Sequence, residues 1–154
     1  LGRMVETARG SGIRLCHENE KGIYGDVASR CADILEQFPE MGGIFDPANF
    51  IQCGQDTLAA WELLQERIVY FHVKDCAEGG KVVPCGKGIG HVPEILRRFI
   101  ARGGWQLTLE PHLTVFSGFA ALEKDEAKTQ MAAYEYPTQR AAFDAAVAAL
   151  REAL

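Results

Sequence analysis

The sequence predicts an α/β protein with a parallel sheet, because short apolar segments alternate four times with amphipathic helical segments. Strands that are separated by helices pair in parallel, and the crossover helices cover the sheet. The chain has 154 residues, of which 47% are hydrophobic and 24% charged, as in a globular domain with one core. The alternation fits an open doubly wound sheet or part of an eight-stranded barrel.

The first two strand–helix units follow a short helical segment. Residues 1–12 resemble the last turns of a helix, with apolar residues on one face and with Gly10 and Gly12 to end it. Residues 13–18 are the first predicted strand, and Asp26 is a candidate N-cap for the next helix. The second strand is predicted at 43–46, "GIFD", and Asp56 is the candidate cap of the helix that follows it.

The last two units begin with the clearest strand in the chain. Residues 68–73, "IVYFHV", are β-branched, aromatic and apolar, which predicts a buried strand. Pro93 suits the first turn of the next helix, and residues 105–110, "WQLTLE", are the fourth predicted strand. A final helix is predicted from about Thr138. Four apolar residues are expected on its buried face: Phe143, Val147, Leu150 and Leu154.

Composition and charge argue against several kinds of partner and location. The net charge of −5 disfavours nucleic-acid binding, which usually needs a basic face. The sequence has no apolar run of membrane length and no signal-peptide pattern. Its five cysteines are scattered and odd in number, which favours free thiols in a reducing compartment. We therefore expect a cytoplasmic protein that binds neither nucleic acid nor membranes.

Each predicted strand has, at its end or one residue before it, a residue that can bind a metal ion. These residues are Glu18 in "CHENE", Asp46 in "FDPAN", His72 in "FHVKD" and Glu110 in "LEPH". One such residue recurs in each strand–helix unit. Because the carboxyl ends of parallel strands meet at one rim, we expect the four side chains to lie together.

Three carboxylates and one imidazole at the same rim imply a cation, because adjacent carboxylates repel one another and resist ionisation. Three oxygen donors and one nitrogen suit one divalent metal ion such as Mn, Mg, Co or Zn. A single strand-end carboxylate or histidine is more often an ordinary surface or core residue. The recurrence at four equivalent positions therefore predicts the metal site.

Five stretches carry a family resemblance: "HENEKGIYGD", "GIFDPANF", "VYFHVKD", "KVVPCGKGIG" and "LTLEPHL". Together and in this order, they resemble the xylose isomerase-like TIM-barrel superfamily of sugar phosphate isomerases and epimerases. In that family, a Glu, Asp, His and Glu from strands five to eight hold one divalent metal. The resemblance implies that Glu18, Asp46, His72 and Glu110 are these ligands; we call them the quartet.

The resemblance also implies that the chain is the second half of a barrel. A TIM barrel has eight strands and typically about 250 residues. Residues 1–154 would then be a single domain with strands five to eight, apparently lacking its amino-terminal half. A half barrel exposes two strand edges and an apolar interior. We therefore expect self-association or a complementary amino-terminal half-barrel.

The implied function is a divalent-metal-dependent isomerase or epimerase that acts on a sugar or sugar phosphate. Such an enzyme abstracts a proton next to a carbonyl, and the metal stabilises the enediolate. The resemblance makes Glu18 and Glu110 the catalytic acid and base, with pure metal ligation as their alternative role. Two other functions stay open: a dehydratase or lyase of keto-inositol-type substrates, and a catalytically silent barrel fragment.

Three further residues are candidates for binding the carbohydrate substrate. Asn49 stands where the family's epimerases often have a histidine, and its amide can bind a hydroxyl. The family often has an arginine shortly before the glycine loop, and Lys81 is the cation nearest that position, although a solvated lysine is the alternative. His112 follows the last strand and could face the pocket. Lys74 and Asp75 are either a pair beside the metal or an ordinary surface pair.

Residues 114–136 contain several aromatic side chains in an irregular context. One interpretation is a lid that excludes water from the site. The alternative is a packed loop with a short helix.

Overall fold

The structure, a computed structural model, describes residues 1–113, 134 and 136–154. These residues form six strands, which are in chain order β1 (Cys16–Glu18), β2 (Gly42–Phe45), β3 (Ile68–Val73), β4 (Asp75–Cys76), β5 (Val82–Val83) and β6 (Leu107–Leu109). Four strands form one sheet in the order β1–β2–β3–β6, and all neighbours are parallel. β4 and β5 form a separate antiparallel pair. The α/β class and the parallel sheet are therefore as predicted.

The described residues also form six α-helices. They are α1 (Gly2–Ala8), α2 (Ala28–Gln37), α3 (Pro47–Gln52), α4 (Thr57–Leu64), α5 (Val92–Ala101) and α6 (Gln139–Ala153). No helix among them is long and apolar enough to span a membrane. The predicted lid or packed loop at 114–136 falls, except for residues 134 and 136, outside the described residues.

The helix starts follow the predicted signals with one exception. Asp56 caps α4, because its side chain accepts a hydrogen bond from the Ala59 amide, and Thr138 caps α6 in the same way. Pro93 lies in the first turn of α5. The prediction that Asp26 caps α2 is wrong. Its carboxylate instead lies 2.6 Å from the guanidinium of Arg30, one turn further along.

The core lies between the sheet and helices α4 and α5. Phe45 of β2 and Phe71 of β3 stack with their ring centroids 5.8 Å apart. Trp61 of α4 meets Phe45 edge-on at 5.4 Å, and Phe99 of α5 lies 5.8 Å from Phe71. Because these rings are buried, they hold the two central strands in a fixed relation to each other. The packing therefore also fixes the relative positions of Asp46, which directly follows β2, and His72 in β3.

The face of the sheet opposite these helices is less well covered. Successive strand residues point to opposite faces, so Ile44 and Tyr70 lie on the other side from Phe45 and Phe71. Ile44 and Tyr70 are only half-buried, whereas the two phenylalanines are inaccessible. The described sheet thus has one packed face and one partly accessible apolar face.

The buried face of α6 differs from the prediction. Phe143 and Leu154 are 48% and 61% exposed, and Val147 and Leu150 are half-buried. The buried residues are four alanines, which occupy the neighbouring stripe of the helix: Ala142, Ala146, Ala149 and Ala153. Alanines allow a close approach of the helix backbone to its neighbours. The four larger apolar residues consequently lie beside the buried stripe, where they are exposed or half-buried.

Truncation of Phe45 tests the position of the core. We expect Phe45→Ala to lower the free energy of unfolding by about 3–5 kcal/mol, because it removes a ring that contacts three other buried rings. The matched control, Phe143→Ala, removes a half-exposed ring and should cost less than about 1 kcal/mol. Urea denaturation of both variants measures the difference, and equal losses would contradict the assigned core.

Candidate metal centre

The structure brings the four quartet side chains together. Glu18 ends β1, Asp46 directly follows β2, His72 is the penultimate residue of β3 and Glu110 directly follows β6. Each residue offers one donor atom, and these four atoms all lie within 4.8 Å of one another. The strand-end pattern in the sequence therefore corresponds to a real spatial cluster.

His72 lies at the centre of the quartet. Its Nδ1 atom is 2.9 Å from Glu18 Oε1, 3.2 Å from Glu110 Oε1 and 3.9 Å from Asp46 Oδ2. The side chains of Asp46 and His72 are 0% and 9% exposed, whereas those of Glu18 and Glu110 are 31% and 27% exposed. The two glutamates are thus the members of the quartet that a small molecule can reach.

Asp46 is held by the helix that follows it. Its Oδ1 atom accepts a hydrogen bond from the Asn49 amide at 3.0 Å and so caps α3, and Pro47 occupies the first turn. With Oδ1 engaged at the cap, Oδ2 is the oxygen on the side of the quartet. An aspartate followed by proline is a helix-start signal, so the sequence contained a clue to α3.

Asn19 is a positioning residue that the sequence analysis missed. Its side-chain amide donates to the Asp46 carbonyl and accepts from the Asp46 amide, both at 2.9 Å. The side chain is 1% exposed and acts as an additional rung between β1 and β2. Asparagine can do this because its amide is both donor and acceptor. The only clue in the sequence is its place directly after Glu18.

The predicted substrate-binding residues lie in different surroundings. Asn49 is 2% exposed. Its side-chain nitrogen Nδ2 donates to the backbone carbonyl of Asn19 at 2.9 Å and lies 3.5 Å from Glu18 Oε1. Lys81 is half-buried and directly precedes β5. His112 is exposed and has a left-handed backbone with φ of 42°. A substrate-binding role for these three residues stays a prediction.

Lys74 points into the quartet. Its side chain is 5% exposed, and its Nζ atom lies 2.7 Å from Asp46 Oδ2 and 3.6 Å from Glu110 Oε2. Of the two interpretations of Lys74 and Asp75, the ordinary surface pair is wrong, because both residues are buried. They also face different groups, since Asp75 bonds to a loop and not to Lys74.

Asp75 organises the glycine loop. Its carboxylate accepts hydrogen bonds of 2.8–3.1 Å from four backbone amides, which belong to Cys76, Gly86, Gly88 and Gly90. A Cβ atom on Gly88 or Gly90 would lie 2.4 or 2.6 Å from Asp75 Oδ1. Two of the glycines are therefore required by close approach to this carboxylate. They do not form a phosphate-binding loop of the GxxxxGK[ST] type.

Burial and mutual charge shift the pKa values of the quartet in different directions. Burial raises the pKa of Asp46 to about 6 although Lys74 opposes the shift. Burial would lower the pKa of His72, but the contacts with Glu18, Glu110 and Asp46 outweigh it and raise the pKa. Burial would raise the pKa of Glu18, but His72 and Lys74 outweigh it and lower the pKa. These opposed shifts are typical of functional clusters.

The donor set fits one divalent metal ion. Metal–oxygen and metal–nitrogen bonds of about 2.0–2.2 Å place the ligands of one ion roughly 3–4 Å apart. The four donor atoms of the quartet, within 4.8 Å of one another, need only small movements to reach that spacing. Three carboxylate oxygens and an imidazole nitrogen suit Mn, Mg, Co or Zn.

Comparison with known protein families gives one match over almost the whole chain. The model of the family described as "Xylose isomerase-like TIM barrel" matches residues 1–152. The search of curated proteins found no significant match.

Comparison with solved structures finds the same fold at low sequence identity. A D-tagatose 3-epimerase-like protein has 18% identity and a TM-score of 0.66, and the match covers 99% of this chain and 51% of that one. The probable 3-DHS dehydratase AsbF from Bacillus anthracis has 16% identity and a TM-score of 0.58, with coverage of 70% and 47%. The chain therefore spans about half the length of these proteins.

Metal binding should weaken as the pH falls from about 8 to about 5. A metal ion binds Asp46 as a carboxylate and His72 as a neutral imidazole, and both groups have raised pKa values, that of Asp46 being about 6. Protons therefore compete increasingly as the pH falls through these values. Calorimetric titration with Mn²⁺ at several pH values measures the effect, and a constant affinity over the range would speak against these two ligands.

Proposed function

The chain belongs to the xylose isomerase-like TIM-barrel family, and we propose that it is the metal-binding half of an isomerase or epimerase of a sugar or sugar phosphate. The observation that carries the proposal is the exposure pattern of the quartet. Asp46 and His72 are buried, whereas Glu18 and Glu110 are 31% and 27% exposed. The site thus combines a buried pair that can hold an ion with two carboxylates that a substrate can reach.

The two glutamates are placed for proton transfer. Glu18 belongs to β1 and Glu110 follows β6, and these are the outer strands of the described sheet. The two carboxylates therefore flank Asp46 and His72 from opposite sides. One of them can remove a proton from the carbon next to a carbonyl while the other returns a proton. When bound, a divalent cation polarises the carbonyl and offsets the negative charge that develops on the oxygen.

The substrate is proposed to be a small carbohydrate that Asn49, Lys81 and His112 help to bind. Asn49 supports this role because its side-chain nitrogen lies 3.5 Å from Oε1 of Glu18, one of the two proposed catalytic carboxylates. Lys81 and His112 offer a cation and an imidazole for hydroxyl or phosphate oxygens. Their place in the sequence, beside the glycine loop and after the last strand, supports the assignment.

A dehydratase is the second candidate function. The likeness to the probable 3-DHS dehydratase favours it, because that protein has the same fold. The reaction starts with the same proton abstraction next to a carbonyl, after which a hydroxide leaves from the neighbouring carbon. The same two glutamates would act as base and acid.

Deuterium exchange tests the proposed reaction. We expect the Mn²⁺-loaded protein in D₂O to incorporate deuterium next to the carbonyl of one member of a panel of ketoses, aldoses and their phosphates, as measured by NMR. Glu18→Gln or Glu110→Gln should slow the exchange by at least about 100-fold, because each removes a proton acceptor. Glu152→Gln, on an exposed side chain, is the matched control.

Three outcomes of this experiment separate the candidates. Exchange with an epimeric or isomeric product supports the proposed enzyme. Loss of water from the substrate supports the dehydratase. Metal binding without any exchange supports a catalytically silent fragment and contradicts the proposed activity.

We further propose that the chain supplies strands five to eight of a barrel and that another half-barrel covers its open face. The outer strands β1 and β6 and the half-buried Ile44 and Tyr70 support this proposal. The chain also spans about half of the solved barrel-like neighbours, at 47% and 51% of their lengths. The complement is an amino-terminal half-barrel, and a second copy of this chain can take its place when the complement is missing.

Sedimentation of the isolated chain tests whether the open face of the sheet associates with another half-barrel. We expect species larger than a monomer at about 100 μM, because an open apolar face favours association. Ile44→Thr, which makes this face more polar, should shift the distribution towards the monomer. The control Leu63→Thr changes a 56% exposed leucine of α4, and it should leave the distribution unchanged. A wild-type chain that stays monomeric would argue against the proposal.

A further inference from the structure

We propose that Lys74 is a built-in counter-cation of the quartet, which stabilises the metal-free protein and weakens metal binding. The inference rests on the proposed metal site and adds a residue that sets its affinity. It starts from the buried ammonium, which lies 2.7 Å from Asp46 Oδ2 and 3.6 Å from Glu110 Oε2. Two of the three carboxylates therefore have a permanent positive charge beside them.

The backbone directs Lys74 into the site. Lys74 directly follows β3, and its amide donates to the His72 carbonyl at 3.0 Å, which makes a tight turn at the end of the strand. The turn places the side chain on the same side as the His72 imidazole, and 5% of it is exposed. Burying so long a charged side chain is costly unless it is paired. The pairing with Asp46 is thus a specific feature of the site.

One carboxylate oxygen serves both the ammonium and the quartet. Asp46 Oδ1 is engaged by the Asn49 amide at the start of α3, so it is already used. Asp46 Oδ2 is the oxygen that faces His72 Nδ1, at 3.9 Å, and it is also the oxygen that touches Lys74. A metal ion that binds the quartet through this oxygen must share it with the ammonium or displace it.

The charges then act in opposite directions on two measurable properties. Without a metal, the ammonium offsets the mutual repulsion of Glu18, Asp46 and Glu110, so it stabilises the fold. With a divalent ion present, the same ammonium is a like charge a few ångströms away, so it opposes binding. A residue that only packed against the site would not raise the stability of the metal-free protein while lowering its affinity for a divalent ion.

Lys74→Met tests the proposal, because methionine keeps most of the length of the side chain and removes its charge. We expect the thermal midpoint of the metal-free protein to fall by at least about 5 °C. We also expect Mn²⁺ to bind at least about tenfold more tightly in calorimetric titrations near pH 8. Saturating Mn²⁺ should consequently raise the midpoint of the variant more than that of the wild type.

The matched control is Lys87→Met, which removes an exposed charge 4.0 Å from Glu152. It should change neither the midpoint nor the affinity. A Lys74→Met chain that folds only after Mn²⁺ is added would be the strongest form of the expected result. In that case Lys74→Gln, which keeps a polar end without the charge, allows the metal-free measurement.

The outcomes separate this inference from the metal site itself. Unchanged or weaker Mn²⁺ binding by Lys74→Met, with binding by the wild type, overturns the role of Lys74 and leaves the site intact. An unchanged midpoint without metal also overturns it. If neither protein binds a divalent ion, the proposed metal site fails, and a loss of midpoint in Lys74→Met would show that only the stabilising half of the inference is right.

Discussion

The structure depends on how one rim accommodates three carboxylates. Glu18, Asp46 and Glu110 come from three strands of the same parallel sheet, and parallel pairing brings their side chains into one small space. Like charges at such distances repel strongly in a buried setting. The fold is consistent with this constraint because His72 and Lys74 lie among the carboxylates and because two of the three stay partly in contact with solvent.

Rigidity behind the site complements the charges within it. The stacked rings of Phe45 and Phe71 fix β2 and β3 from the helical side of the sheet. On the rim side, Asn19 ties the end of β1 to the backbone of Asp46. The ligand-type side chains thus project from strand ends that are held by ring packing on the helical face of the sheet and by hydrogen bonds at the rim. Such an arrangement keeps the donor atoms close together.

The presence of the strands and some of the helix starts could be predicted from the sequence, because both depend on local patterns, although Asp26 does not cap α2. The third strand has the predicted bounds, Asp56 caps α4 as predicted, and α6 begins directly after Thr138, close to its predicted start. The first and fourth strands are shorter than predicted, although Leu15, Gln106 and Glu110 at their ends still make backbone hydrogen bonds to the neighbouring strands. Local patterns failed where the outcome depends on a distant partner. Asn19 gains its role only from the Asp46 backbone.

The last helix shows the same limit in another form. Its large apolar residues and its alanines have the same spacing, shifted by one position along the chain, so periodicity alone cannot say which stripe is buried. Size misled the prediction, because the space beside the sheet accommodates alanine. For Lys74, the sequence left a surface pair and a site residue as equal possibilities. Only the position of its ammonium separates them.

The double use of Asp46 limits which residue can stand at this position. The same short side chain begins a helix with one oxygen and meets the charged cluster with the other. A glutamate would preserve the charge, but its extra methylene would carry the oxygens past the Asn49 amide, and glutamate is not among the preferred N-cap residues. Side-chain length is therefore as much a requirement here as negative charge, and the start of the helix and the chemistry of the rim would have to change together.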